Sequence, residues 1–338
     1  IILITGGMGF IGSNLIDYIL TNTNYKIINV DKITYAANNN FARSIADNKR
    51  HIHCKVDISN IKRLEHIFNR YDPDLVMHLA AETHVDNSII NSRSFINTNI
   101  IGTYNMLECS RKLFNKKRAN KEKFRFHHVS IDEVYGDLGK SKKKFSEETK
   151  YEPSSPYSAS KASSDHLVRA WHRTYKLPIV LTNCSNNYGP RQHKEKFIPV
   201  IISNAVRNKP IPIYDQGKQI RDWLYVSDHV EALFNVLKKG TIGETYNIGA
   251  QNEIKNIDLV KLILRELENK LFIEKKKRFK LMKLIKYVED RPGHDFKYAI
   301  DNKKIKKDLN WKPNVNFKEG IKKTIDWYYE ELKLGKYR

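Results

Sequence analysis

Short apolar runs alternate with segments of helical periodicity through the first half of this chain. The runs IILIT (1–5), KIINVD (26–31), IHCKVD (52–57), LVMHLA (75–80), FRFHHVS (124–130) and IVLTNC (179–184) have the length and composition of buried strands. Between them, IGSNLIDYIL, IKRLEHIFNRY, FINTNIIGTYNMLECSRKLF and SASKASSDHLVRAWHRTY place apolar residues three and four apart, as one face of a helix requires. Repeated β-α-β units of this kind predict an α/β fold with a Rossmann-type doubly wound parallel sheet. After NNYGP (186–190) the rhythm changes, and short strands such as IPIYD and WLYV alternate with helices. A smaller mixed α/β C-terminal lobe is expected there. The reading places the sheet-bearing domain at 1–184, returns segments near 222–240 to it, and assigns 185–338 mainly to the lobe.

Length and composition narrow the possible classes without choosing among them. The chain has 338 residues, enough to bury a substantial core in one large or two modest domains. It holds no run of about eighteen apolar residues, so no spanning helix is expected. IILIT leads straight into TGGMGFIGSN with no basic region before it or cleavage site after it, which reads as a strand rather than a leader. Because Ile1 is not Met, a few residues are expected ahead of it. Cys54, Cys109 and Cys184 are odd in number and widely spaced, the pattern of reduced thiols in a cytoplasmic protein.

The formal charge of +22 would draw polyanions. Its lysines, however, gather in RKLFNKKRANKEKFR, GKSKKKFS, NKLFIEKKKRFKLMKLIK and NKKIKKDL, which read as solvated helix faces and loops. No aromatic ladder interleaved with Arg accompanies them, and no dedicated nucleic-acid function is expected.

Gly6, Gly9 and Gly12 follow the first strand and open a helix. Glycines there let the backbone turn tightly and approach a pyrophosphate, whose charge meets free N–H groups at the helix start. Asp31 ends the second strand about twenty residues on, where a carboxylate can hold a ribose 2′-OH. An acid there repels a 2′-phosphate, so NAD is expected over NADP, with Lys32 softening the preference.

Tyr157 and Lys161 are four apart on an expected helix and share one face. An ammonium beside the phenol would lower its pKa and make it a usable base. Asp132 and Glu133 follow the fifth strand, at the carboxyl end of the sheet where such folds bind ligands. Burial and mutual repulsion would leave one carboxyl protonated and one ionised, an acid and a base side by side.

Other candidates carry less. His51 and His53 share a strand face beside Cys54, but no second ligand pair at metal spacing accompanies them, and no metal is expected. His127 and His128 point to opposite faces of one strand. Trp171 and Tyr175 read as core or subunit interface.

With these residues in view, the chain is similar over nearly its whole length to extended short-chain dehydrogenase/reductases. Among them it resembles the dTDP-glucose 4,6-dehydratase family. The resemblance runs through TGGMGFIGSN, VDKITYA, HLAAETHVDNSI, TNIIGTYNMLE, SIDEVYGDL, SPYSASKASSDHLV, SNNYGPRQ, EKFIP, PIYDQGKQIRDWLYVSDH, YNIGAQNEIKNID, DRPGHDFKYAID and LNWKP. The Asp-Glu pair and RPGHD are its most specific parts.

The resemblance implies NAD as cofactor, contacted by Phe10, Ile11, Asp31, Lys32, Ile33, Thr34, Asp57, Ile58, Leu79, Ala80, Ala81, Glu82, Thr83, Thr98, Tyr157, Lys161 and Asn187 beside the three glycines. It implies dTDP-glucose as substrate, held by Asn186, Glu195, Lys196, Phe197, Pro212, Ile213, Tyr214, Arg221, Asn256, Asp290, Arg291 and His294, with His84 and Ile131 near the sugar. It further implies a lyase reaction in which Tyr157 takes the 4-OH proton, Glu133 removes the C5 hydrogen and Asp132 protonates the leaving 6-OH. A homodimer paired through TNIIGTYNMLECSRKLF and the Tyr157 helix is implied as well.

The chain departs from the family pattern in two places. Ile131 stands where the family usually has a Thr whose hydroxyl bonds the sugar 4-OH, and reduced turnover is expected. Lys194 stands where Pro is usual, which would loosen the substrate loop. Competing readings are a UDP-sugar 4,6-dehydratase, a 4-epimerase, which needs no elimination acid and base, and a weakened relative that binds NAD or RNA.

Overall fold

The structure is a computed structural model that describes residues 1–117, 121–276 and 278–335. Its strands are β1 (Ile2–Thr5), β2 (Ile27–Val30), β3 (His51–Cys54), β4 (Leu75–His78), β5 (Arg125–Ile131), β6 (Ile179–Cys184), β7 (Asn186–Tyr188), β8 (Ile211–Tyr214), β9 (Ile220–Tyr225), β10 (Thr245–Ile248), β11 (Glu253–Lys255) and β12 (Ile285–Val288). Seven of them form one parallel sheet in the order β10-β6-β5-β4-β1-β2-β3. Ile2 of β1 is paired with Ile27 on one side and Leu75 on the other, so strand order reverses between β1 and β4. A crevice opens at the carboxyl ends of the strands there.

The helices are α1 (Phe10–Asn22), α2 (Asn39–Ser44), α3 (Ile61–Tyr71), α4 (Val85–Ile90), α5 (Ser92–Phe95), α6 (Gly102–Lys116), α7 (Pro156–Tyr175), α8 (Phe197–Val206), α9 (Val226–Lys239), α10 (Asn256–Lys275), α11 (Lys303–Leu309) and α12 (Phe317–Lys333). On one face of the sheet, Leu15, Ile16 and Ile19 of α1 pack with Val230, Leu233 and Leu237 of α9. On the other face, Leu64 and Phe68 of α3, Met106 and Leu107 of α6 and Val168 of α7 share a core. The lobe has its own core, with Ile201, Leu259, Ile263, Ile325 and Tyr328 at its centre. Sheets β11-β9-β7 and β12-β8 edge that core.

Two features differ from the expected elements. β10 is the seventh strand of the main sheet, although TYNI is too short to stand out as a run; pairing with β6 buries all four residues. The helix expected over FINTNIIGTYNMLECSRKLF is interrupted by a π turn at Ile96–Ile101. That turn buries Thr98 and Asn99 together, and Asn99 Nδ2 donates to the Glu82 carbonyl and to Ser160 Oγ. Of the lysine-rich runs, residues 118–120 and 277 lie outside the described residues.

Candidate active site

A cavity of about 320 Å³ occupies the crevice between the sheet and the lobe. Its floor is the glycine loop. Gly6 has φ of +72°, and a Cβ there would stand 2.8 Å from the Ala80 backbone. At Gly12 a Cβ would meet the Gly6 carbonyl oxygen at 2.2 Å, whereas at Gly9 the nearest atom is 3.3 Å away. The loop therefore packs against β4 on one side and leaves its open side to a ligand, the shape a pyrophosphate needs.

Asp31 accepts from Met8 N at 2.9 Å and Ile33 N at 2.8 Å, which clamps the loop to the end of β2. A carboxylate has about four lone-pair sites, so capacity for a ribose hydroxyl remains. Lys32 Nζ lies 3.0 Å from Glu82 and 3.6 Å from Asp57. Its charge is already matched by two carboxylates, so it offers a 2′-phosphate less than the sequence suggested.

Phe10, Ile11, Thr34, Ile58, Leu79, Ala81, Thr83, Thr98 and Asn187 line the same walls. Ile33 does not. Its backbone is left-handed at φ +57°, and its side chain packs on the core around α1 instead.

Tyr157 enters the cavity from the first turn of α7 because that helix starts abruptly. Ser155 and Ser158 exchange side-chain-to-backbone hydrogen bonds and Pro156 fills the first turn, a complete capping box. Tyr157 is 5 % exposed, its ring set edge-on to Phe95, and Lys161 is 4 % exposed one turn on. Lys161 Nζ donates to the Val129 carbonyl at 2.9 Å.

The expected lowering of the Tyr157 pKa is not what the structure gives. Burial, followed by Glu133, Cys184 and Asp132, holds the phenol well above its ordinary range. The Lys161 ammonium is engaged with β5 at the Val129 carbonyl, while burial acts first and the nearby carboxyls add to it. Burial also lowers the Lys161 pKa, against the opposing pull of Asp165 and Cys184.

Asp132 and Glu133 form a short helical turn at the end of β5. Asp132 is 2 % exposed, its Oδ2 has no hydrogen-bond partner, and burial, Glu133 and Asp222 raise its pKa well above the usual range. Glu133 is only half-buried. Burial raises its pKa too, but Arg221, Arg291 and Lys196 pull against that rise. One carboxyl thus sits where protonation is favoured, and the other faces three cations.

The lobe side carries the remaining candidates. Ile131, Asn186 and Lys196 line the cavity, and Lys196 Nζ reaches across to the Thr83 carbonyl at 2.8 Å. His84 accepts from Asn87 N through Nδ1 and turns Nε2 toward Glu195, 4.0 Å away. Arg291 Nη1 donates to Asp86 at 2.8 Å, while its buried Nε has no partner. His294 and Gln219 both engage Asp290, at 2.6 and 3.1 Å. The Tyr214 ring stands 6.0 Å from that of His294. Asn256 opens α10 with a buried, unpartnered Oδ1, and Phe197 stacks on Trp223.

Two lobe candidates are placed differently from the rest. Ile213 is 1 % exposed and packs into the lobe core, since alternation along β8 turns only Pro212 and Tyr214 outward. Arg221 is held by the carbonyls of Ile220, Asp295 and Phe296 and lies over the Tyr298 ring at 4.2 Å, so much of its donor capacity is engaged.

The family model for GDP-mannose 4,6 dehydratase matches residues 3–324. The chain is 53% identical to the dTDP-glucose 4,6-dehydratase of Haemophilus influenzae over 97% of both chains. It belongs to the dTDP-glucose 4,6-dehydratase family. Among solved structures, the dTDP-glucose 4,6-dehydratase of Bacillus anthracis in complex with NAD superposes with a TM-score of 0.86 at 41% identity, covering 98% of this chain and 97% of that one. The Streptomyces venezuelae enzyme of the same name, with NAD bound, gives 0.89 at 35% identity and 98% of both chains.

For a member of this dehydratase family, the structure adds residues that motif reading passed over. Tyr35 and His193 stand at the cavity mouth with their rings 5.3 Å apart, and Cys184 and Ser185 line its wall. Asp165 lies beneath Lys161, one helical turn further along α7, and that spacing was the available signal. The histidines weighed for metal binding lie elsewhere, on the edge strand β3. Among the described residues no group of three or more potential ligands gathers. Nor is any described helix long and apolar enough to cross a membrane.

Proposed function

We propose that the chain converts dTDP-glucose to dTDP-4-keto-6-deoxyglucose with NAD as a resident cofactor. The observation that carries this reading is the split pair at the end of β5, a buried Asp132 and a cation-faced Glu133, opening on the same cavity as Tyr157 and Lys161. An epimerase has no use for such a pair.

Bound NAD supplies an acceptor for the C4 hydrogen with its electron pair, a donor for its return at C6, and positive charge while oxidised. It would lie over the glycine loop, with Asp31 at a ribose and Asn187 and Lys161 further in. Tyr157, kept neutral by burial in the free chain, takes the 4-OH proton only as the phenolate, after positive charge entering the site has driven its own proton to solvent. The 4-ketone acidifies the C5 hydrogen, which Glu133 removes. Asp132 gives its proton to the departing C6 oxygen, and water leaves. Arg291 and Lys196, with the remaining donors of Arg221, hold the diphosphate. Ile131 offers no hydroxyl to the sugar and slows the first step.

The nucleotide preference rests on the 53% identical relative rather than on the family model's name. Incubating the protein with dTDP-glucose, UDP-glucose and GDP-mannose tests it. A product lighter by one water is expected from the first at the highest rate. No water loss from any of the three would refute the reading.

We also propose a homodimer through α6 and α7, supported by the exposed Tyr104 and Tyr175 on those helices and by the exposed Ile96 and Ile101 of the π turn that leads into α6. Three free thiols among the described residues support a reducing compartment, the cytoplasm. We further place the boundary between cofactor and substrate halves near residue 185, with α9 and β10 returning to the former.

A further inference from the structure

Four residues of α7 follow one another at four-residue spacing: Tyr157, Lys161, Asp165 and Arg169. They share one helix face, and beyond the phenol their charges alternate. The third member is fully buried. Asp165 Oδ2 accepts from Tyr151 OH at 2.8 Å, Ser130 Oγ at 2.9 Å and Asn183 Nδ2 at 3.3 Å, and Oδ1 lies 3.1 Å from His128 Nε2. A carboxyl surrounded by donors is held in its ionised form.

One of those donors belongs to the active-site wall, and a second is bonded to it. Ser130 immediately precedes Ile131, Asp132 and Glu133, and Asn183 also donates to the Ile131 carbonyl at 3.0 Å. The same carboxylate is therefore tied to the strand end that carries the acid and base, and stands one turn from the ammonium that serves the phenol.

We propose that Asp165 is a positioning residue of the reaction, the fixed counter-charge that keeps the Lys161 ammonium protonated and anchors the end of β5 beside it. This rests on the reaction proposed above. The other groups facing the pair do not supply that charge. His78 from β4 and His128 from β5 are driven neutral, first by burial, with His128 lowered to about 4. Burial pushes the Cys184 thiol of β6 up to about 12 and keeps the Tyr135 and Tyr151 phenols protonated. Arg169, which donates to Tyr151 OH at 2.8 Å, is a cation. Among these neighbours Asp165 is the anion, and burial of Lys161 would otherwise favour loss of its proton.

The test is the titration of Lys161, followed by NMR on protein labelled with carbon-13 lysine and assigned with Lys161→Arg, in parallel with steady-state kinetics. Asp165→Asn is expected to bind the Lys161 proton about tenfold or more weakly, a fall of about one pH unit. Its kcat is expected to fall with little change in KM for dTDP-glucose, and Asp165→Glu is expected to restore both the titration and kcat. An unmoved Lys161 titration overturns the proposal, and so does an unchanged kcat.

If Asp165→Asn does not fold, Tyr151→Phe decides. It keeps the carboxylate but removes one donor dipole, so the Lys161 titration should move to higher pH; no movement, or a downward one, overturns the proposal. Failure of the unaltered chain to release water from dTDP-glucose would instead refute the reaction. The NMR comparison would stand apart from that result.

Discussion

Asp132 and Glu133 are neighbours in the chain with opposite electrical surroundings. The first is sealed under the end of β5 with Asp222 for company, and the second opens toward Arg221, Arg291 and Lys196. Removing either proton-transfer group should cost elimination more than C4 oxidation. Asp132→Asn and Glu133→Gln are each expected to lower kcat by about 10²–10⁴, with reduced nicotinamide accumulating in single-turnover absorbance traces. Because Glu133 must be ionised and burial lifts its pKa, kcat of the unaltered chain should fall on the acid side at a pH above the ordinary glutamate range.

Ile131→Thr tests the hydroxyl missing from the cavity wall. A hydrogen bond formed in the transition state is worth about 1–3 kcal/mol, so turnover should rise roughly 5- to 150-fold. A rate that stays level or drops in this variant would remove the idea that Ile131 limits the chain.

Arg291 has one nitrogen on Asp86 and another buried without an acceptor. Arg291→Ala is expected to raise KM for dTDP-glucose about 10- to 100-fold, the worth of a charge-assisted pair, while kcat changes far less. Steady-state kinetics that show the loss in kcat alone would place the guanidinium away from the diphosphate.

Gly12→Ala sets a methyl group 2.2 Å from the Gly6 carbonyl oxygen, so the loop must shift. About 1–3 kcal/mol of stability should be lost, together with the resident nucleotide. Thermal unfolding and chromatography of nucleotide released on denaturation check both. Full nucleotide occupancy in the variant would mean that the loop does not cradle it.

His127, His128 and His229 are buried, and burial is the chief cause that lowers them to about 3, about 4 and about 3 from 6.5. Below pH 6.5 the unfolded chain binds protons that the folded one refuses. Stability is therefore full above that value and is lost as pH falls toward 4. The melting temperature should drop steadily over this window; a flat profile between about pH 7 and pH 5 would contradict the burial of these rings.

The main sheet was legible in sequence wherever a strand is buried on both faces and stands out as a compact apolar run. β10 escaped because four residues flanked by a turn carry too little pattern, and its burial comes from pairing with β6. The glycine loop and Asp31 were legible because local backbone geometry dictates residue type. The Tyr157–Lys161 spacing put both side chains on the cavity yet misjudged the phenol, because its pKa depends first on burial and then on Glu133, Cys184 and Asp132, all set by the fold. The inward turn of the Ile213 side chain was not legible for a related reason. A motif can carry a triplet across, but strand alternation sends its middle side chain into the core. Asp165 needed the structure, since only packing shows Ser130, Tyr151 and Asn183 converging on it.

The most direct measurement follows the hydrogen itself. dTDP-glucose carrying deuterium at C4 is incubated with the protein, and the product is examined by mass spectrometry and NMR. The account predicts loss of one water and deuterium recovered on C6. A product that keeps its oxygen, or one whose C6 hydrogen comes entirely from solvent, would contradict it.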